Sequence, residues 1–451
     1  MALSPPARAQ AGLEERAANT SLLVDLAAGP PPATISASGL YSDVESRTPS
    51  PGLIPFSVNA PLWSDGAHKV RYLALPGLSR IEFSRDGPWG FPANTVLVKS
   101  FYLDMVRGDP SSRRIVETRL LIKAGESDRW EGFSYRWNEA GTDADLLIPG
   151  GTARYEIVDP DAPGGRSHVD YRFPATEDCG RCHTPQVGQV LGVRTAQLNG
   201  LHDYGGASAH QLETWSRLGL FTEEIGGDFE GFPRWEDPAD DSAPLAGRAR
   251  SYLAANCANC HRPGGLRRTA IDLRYETELE ATGTVNVPPN LDVDGVDRRI
   301  ILPGDAANSV LPLRMLVLDD RRMPPLASGI VDREGLRLVS RWIDALGAPT
   351  SVSGAPAAPG EASLVAGYPN PFNASTTITW SLGRPGPVAL AVHDVTGRRV
   401  RTLVSGRLAA GPHRTGWDGL DDRGGPAASG VYLVRLRAGE ETRTLKLTLM
   451  R

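Results

Sequence analysis

The sequence predicts a multidomain chain in three folded parts: a β-rich N-terminal domain over about residues 40–175, an α-helical region over 176–348, and a C-terminal β sandwich over 368–451. Three observations predict this. Short segments that mix β-branched and aromatic residues, broken by Gly, Pro and Asp clusters, fill the first and last parts. In the middle part, helical patterns flank the second of two C-x-x-C-H motifs. Between the middle and last parts runs "GAPTSVSGAPAAPGEASLVAG", a Pro, Ala, Ser and Gly linker placed at 349–367. Residues 1–39 precede the first domain as a leader remnant or linker.

Composition bounds the function. The chain has 451 residues, 40% hydrophobic and 22% charged, which suits a soluble globular protein of about three domains at ~150 residues each. No apolar run approaches the ~18 residues a membrane span needs, so no span is expected. A net charge of −5 argues against a nucleic-acid partner. No serine triad, phosphate loop, nucleotide fingerprint or zinc-protease helix appears, and no catalytic residue is assigned.

In the first part, "KVRYLAL", "NTVLVKSFYLDMV", "RIVETRLLIKA" and "GFSYRWN" read as strands with partial alternation. Trp63, Trp89, Trp130 and Trp137 read as core more readily than as an aromatic binding surface. His68 and His168 have no motif spacing, so no metal is assigned there.

All four cysteines lie in the two motifs: Cys179, Cys182 and His183 in "DCGRCHT", and Cys257, Cys260 and His261 in "AANCANCH". Such spacing has three readings. A thioredoxin-like C-x-x-C has no need of the following His, and paired zinc C-x-x-C units lie about 15–20 residues apart. These motifs lie 78 apart, from His183 to His261. C-x-x-C-H is the c-type haem attachment signature: two thiols three apart reach both vinyl groups of one porphyrin, and the next imidazole meets the iron. Two covalently bound c-type haems are therefore expected, with His183 and His261 as iron ligands.

The flanks add detail. "SAPLAGRARSYLAANCANCH" spaces Leu245, Ala249, Tyr252 and Leu253 along one helical face, with Ser242 placed as a cap. After the motif, Met323 precedes two prolines, which fix an extended loop. A helix from about Asp332 then carries Leu336, Leu338, Trp342, Ile343 and Leu346. On these features residues 242–348 resemble a class I cytochrome c. The resemblance implies that Cys257 and Cys260 are thioether anchors, His261 the proximal ligand and Met323 the distal one, a soft ligand that favours ferrous iron.

A wider stretch, residues 40–348, is similar to a family of bacterial two-haem c-type cytochromes with a β-rich N-terminal region. The phrases that carry this include "VNAPLWSDGAHKVRYLALP", "FPANTVLVKSFYLD", "WEGFSYRWNEAGTDADLL", "ILPGDAANSVLPLRM" and "RMPPLASGIVD". The likeness implies Met315, in "SVLPLRMLV", as sixth ligand of the first haem, with His202, His210 and an open site as the alternatives.

The tail, in "YPNPFNASTTITWSL", "GPVALAVHDVTGRRVRTLV", "GPHRTGWDGLDDRG", "SGVYLVRLRAG" and "ETRTLKLTLMR", reads as six or seven strands of a small sandwich. These phrases resemble the C-terminal sorting domain of the type IX secretion pathway, related to the immunoglobulin-like fold of the flagellar hook-capping protein. That implies the secretion machinery as a partner. From Tyr368 onward, 12 basic and 6 acidic residues give about +6, so the rest carries about −11.

The start, "MALSPPARAQAGLEER", lacks the apolar core of a signal peptide but holds Ala7-Arg8-Ala9, a cleavage-like context, so a segment upstream is expected. Because haem is attached covalently outside the cytoplasm, the protein is expected in the periplasm, at the cell surface or secreted. The function expected is single-electron transfer between redox partner proteins. The alternatives are a haem enzyme, peroxidase-like or oxidising a substrate held by the β domain, and then a surface adhesion module.

Overall fold

Alternating side chains over residues 68–137 build an antiparallel meander, in the computed structural model of residues 13, 15–265, 270–290, 296, 298–325, 329–346, 363–368, 372–373, 375–439 and 441–449. The chain divides into two units, Met1–Gly347 and Ala348–Arg451.

In the first unit a ribbon of β1 (Tyr41–Asp43) and β2 (Thr48–Pro49) leads into one six-stranded sheet. Its strands run in chain order: β3 (Leu53–Pro55), β4 (His68–Ala74), β5 (Val96–Asp104), β6 (Arg113–Lys123), β7 (Trp130–Trp137) and β8 (Ala144–Leu146). A hairpin of β9 (Gly151–Val158) and β10 (Arg166–Phe173) follows.

The sheet is apolar on both faces, and this decides what packs where. The facing row Tyr72, Val98, Leu120 and Phe133 joins a core with Leu22, Ile35, Leu40 and Trp137. On the other face, the row Leu73, Leu97 and Leu121 is covered by Val193, Leu198, Leu212, Trp215 and Phe221. These come from the segment that holds α1 (Thr176–Cys179), α2 (Thr195–Leu198), the ribbon β11 (Leu201–Asp203) and β12 (Ser208–His210), and α3 (Gln211–Arg217). Residues 176–235 are thus the second cover of the sheet and not the start of a separate helical domain, because an apolar sheet face must be buried against another layer.

Beyond them stand α4 (Leu245–Asn256), α5 (Val310–Leu316) and α6 (Arg333–Leu346). Among the described residues only α4 and α6 exceed seven residues as α-helices, so the expected α-helical region is mostly loop. Ser242 does not cap α4: its hydroxyl donates to Asp240 Oδ1 at 2.6 Å, and Pro244 stands at the N-cap. Ala249, Tyr252 and Leu253 of α4 pack on Leu338, Val339, Trp342 and Ile343 of α6. The helices approach so closely that a Cβ on Gly335 would stand 2.4 Å from the Tyr252 ring. Gly335→Ala is therefore expected to lower stability by roughly 1–3 kcal/mol, the usual cost of overpacking, read as a drop in the urea midpoint.

Trp89 and Trp137 are buried, while Trp63 and Trp130 are half-buried, with Trp130 edge-on to Phe91. Trp89, Trp130 and Trp137 serve the packing of the sheet.

The second unit is a two-sheet sandwich. One sheet orders β13 (Ser363–Tyr368), β14 (Thr376–Leu382) and β17 (Gly411–Trp417). The other orders β16 (Arg399–Leu408), β15 (Gly386–Asp394), β18 (Gly430–Ala438) and β19 (Glu441–Leu449). Alternation buries Val388, Leu390 and Val392 of β15 opposite Val434 and Leu436 of β18, and Trp380, Trp417 and Phe372 complete the core. The sandwich begins at Ser363, inside the stretch read as linker; residues 349–362 of that linker, like Ala7-Arg8-Ala9, lie outside the described residues. Among the described residues no helix is long and apolar enough to cross a membrane.

Candidate cofactor site

Both C-x-x-C-H motifs wind the same single turn. The Cys182 amide donates to the Cys179 carbonyl at 3.2 Å and the His183 amide to that same carbonyl at 2.9 Å. In the second motif the Cys260 amide donates to the Cys257 carbonyl at 3.1 Å and the His261 amide at 2.9 Å. One helical turn thus carries the two thiols and the imidazole together, as residues three and four apart share a helix face.

Different elements hold the two turns. The first closes α1 and rests on β7, where Gly132 leaves room: a Cβ there would stand 2.4 Å from Cys179 Sγ. The second extends α4, whose last residue, Asn256, accepts from the Trp63 amide at 2.7 Å and donates to the Tyr252 carbonyl at 2.9 Å. The loop before β4 is thereby tied to the residue preceding Cys257.

The motifs meet across one cavity of about 1210 Å³, larger than the ~300–1,000 Å³ of drug-sized ligand sites. Cys179, Cys182, His183, Cys257, Cys260 and His261 all line it, as do Met315 and Met323. Met323 is held by its amide, which donates to the Arg314 carbonyl at 2.7 Å, and Met315 lies on α5 against the α4–α6 core. All four cysteines are free thiols, and Cys182 and Cys260 are near enough to shift one another. Cys182 draws Cys260 down to about 7, Cys260 and burial push Cys182 up, and burial pushes Cys257 up to about 12.

His183 has a defined tautomer. Its Nδ1 lies 2.7 Å from the Gln189 carbonyl, which can only accept, so Nδ1 carries the proton and Nε2 keeps its lone pair. Burial draws this imidazole down to about 4, so it is neutral near pH 7. Gln189 is itself clamped to the β6–β7 turn: its Oε1 accepts from the Trp130 amide at 3.2 Å and its Nε2 donates to the Asp128 carbonyl. Burial, with Arg314 nearby, lowers His261 as well.

His202 and His210 are absent from the cavity lining. His202 stands edge-on to Tyr204, with ring centroids 4.6 Å apart. His210 caps α3, its Nδ1 accepting from the Glu213 amide at 3.4 Å, and its Nε2 is 2.9 Å from Asn199 Oδ1. Sequence reasoning passed over Gln189 and the basic residues on the β4–β6 wall, Arg71, Lys99 and Arg119. Burial draws Arg71 down to about 10; burial, then Arg71 and Arg119, draw Lys99 down to about 7.

Among family models, the FlgD Ig-like domain matches residues 370–441. No curated protein matches. Three solved structures are similar to part of the chain. Dimeric latent PorU from Porphyromonas gingivalis is 24% identical over 21% of this chain and 10% of that one, with a TM-score of 0.18. PorZ of the same organism, an essential surface component of its type IX secretion system, is 23% identical over 19% of this chain and 11% of that one, with a TM-score of 0.15. FlgD from Xanthomonas campestris is 24% identical over 19% of this chain and 64% of that one, with a TM-score of 0.15. This chain thus spans only about a tenth of the first two.

These findings correct the resemblance of residues 40–348 to two-haem cytochromes and of 242–348 to class I cytochrome c. The one matched family lies in the tail, the first unit is β-rich with few helices, and among the described residues no three His, Cys, Asp or Glu side chains gather to hold a metal ion. Several of the quoted phrases fall on strands of the sheet: "KVRYLAL" covers most of β4, "NTVLVKSFYLD" covers β5, and "WEGFSYRWNEAGTDADLL" spans β7 and β8. Such phrases report strand and turn chemistry, which unrelated β-rich folds share. What the comparisons establish is a FlgD Ig-like domain at residues 370–441, at the C-terminal end of a multidomain, β-rich chain.

Proposed function

We propose that this chain is an exported protein that carries two covalently bound c-type haems and passes single electrons between redox partner proteins. The reading rests on the residues of the site and on no family likeness. One observation carries it: two C-x-x-C-H turns of the same geometry open on one cavity, and at the first of them the Gln189 carbonyl fixes His183 with Nε2 available. A metal-ligating His characteristically donates its other ring N–H to a carbonyl or carboxylate. A haem iron takes only one or two ligands from the protein, fewer than the three-residue groups that are absent among the described residues.

When bound, the haems would supply one-electron chemistry at iron. The chain's own residues do the rest. Cys179 with Cys182, and Cys257 with Cys260, would anchor the groups, His183 and His261 would present imidazole, and Met323 and Met315, on the same cavity lining, would offer thioether sulfur. The apolar part of the lining would keep water from a bound group and lower the local dielectric there. In this reading the Ig-like domain serves as the export address.

The test is the visible and magnetic-circular-dichroism spectrum of protein made in a haem-maturation host. Two six-coordinate low-spin haems support transfer alone, whereas one five-coordinate high-spin haem supports the peroxidase-like alternative. A chain ending at Gly354 is expected to keep its whole haem spectrum and to lose export, because the two units have separate cores. Loss of haem on truncation would show that the tail contributes to the site.

A further inference from the structure

The sheet places three cations in one facing row. In the antiparallel register Arg71 of β4 faces Lys99 of β5, and Lys99 faces Arg119 of β6. All three line the cavity that holds Cys179 and His183. Directly opposed like charges destabilise a sheet, and buried charges without partners cost more. Yet this row has little to neutralise it. Glu117 is engaged with Arg119, at 2.7 and 2.8 Å, and also accepts from Tyr171 Oη at 2.6 Å. Arg71, only 9% exposed, donates to the Lys69 carbonyl at 3.4 Å, a backbone acceptor. Among the described residues Lys99 makes no hydrogen bond or ion pair.

Lys99, whose ammonium has no partner among the described residues, and Arg71, bonded only to a backbone carbonyl, are thus two cations on the cavity wall that an anionic group would complete.

We propose that the row Arg71, Lys99 and Arg119 is a carboxylate-binding site on the β-sheet wall of the cavity, built for a molecule with two carboxylates, one for each of Arg71 and Lys99. The carboxylates have two sources: the propionate groups of a haem at the first motif, which rests on the function proposed above, or a free dicarboxylate, which does not.

The experiment measures thermal unfolding of the full chain, haem-free and haem-loaded, with succinate against chloride at equal ionic strength. A ligand that binds only the folded state raises the midpoint with its concentration. Lys99→Met and Arg71→Met are compared with the parent; Lys99→Met is expected to raise the ligand-free midpoint by relieving like-charge repulsion, which shows that it folds. Stabilisation of the haem-free chain by succinate, at least tenfold weaker in Lys99→Met and weaker in Arg71→Met, supports the site. If the haem-loaded chain then no longer responds, and its propionate infrared bands shift in Lys99→Met, the source is the haem. If both forms respond, the source is a free dicarboxylate. If neither form of the parent responds and Lys99→Met leaves the propionate bands unmoved, the proposal is overturned. Failure of the chain to take up haem at all removes the proposed function but leaves the haem-free measurement to decide this site.

Discussion

Replacing Cys257 and Cys260 together by alanine is expected to halve the covalently bound haem, from two per chain to one, and replacing Cys179 and Cys182 is expected to do the same. Removal of all four leaves none. The reason is covalent: a thioether pair is the only attachment that survives acidified solvent, and each motif supplies one pair. A pyridine haemochrome assay after acid–acetone extraction reads the stoichiometry. Haem that washes out of the parent chain, or a parent that holds one per chain, would sink the two-haem reading. Because Cys182 and Cys260 are near one another on the lining of one cavity, the two attachment edges are expected to be close, and loss of either pair should also abolish exciton splitting in the Soret circular dichroism of the parent.

Met323→His is expected to lower the potential of one haem by about 0.1 V or more, within the ~0.8 V over which axial ligands move haem potentials. Imidazole stabilises ferric iron where a neutral thioether favours ferrous iron. Met323 is suited to this by its place: its amide is tied to the Arg314 carbonyl, so its backbone is held at the cavity wall beside α5. Spectropotentiometric titration measures the shift. If the red absorption band of thioether-ligated ferric haem is present in the parent and persists in Met323→Ala, Met323 is not the ligand, and Met315, on the same wall, becomes the residue to replace.

The features that were legible before any coordinates are those with a short range along the chain. The turn in "CANCH" and "CGRCH" is one: three residues and one carbonyl define it, and the same bond from the His amide to the first Cys carbonyl closes both at 2.9 Å. The alternation in "ALAVHDV" is another, for β15 buries Val388, Leu390 and Val392 as period two requires. The helical face of "LRLVSRWIDAL" likewise buries Leu338, Trp342 and Ile343. Where phrase likeness replaced such local physics, it misled: short strands and loops were read as a helical cytochrome region.

What the sequence by itself determined, then, is the strand-rich character of the chain, the sandwich of its tail, and two C-x-x-C-H turns with their thiols and imidazoles in order. Only the tertiary structure decided that Cys182 stands near Cys260, that Gln189 fixes the tautomer of His183, that His202 and His210 point elsewhere, and that Arg71, Lys99 and Arg119 stand in a row. The physical reason is register. A strand's own pattern says which residues share a face, but a slip of one residue would turn Lys99 from the cavity to the opposite core, and only the packing of both sheet faces excludes it.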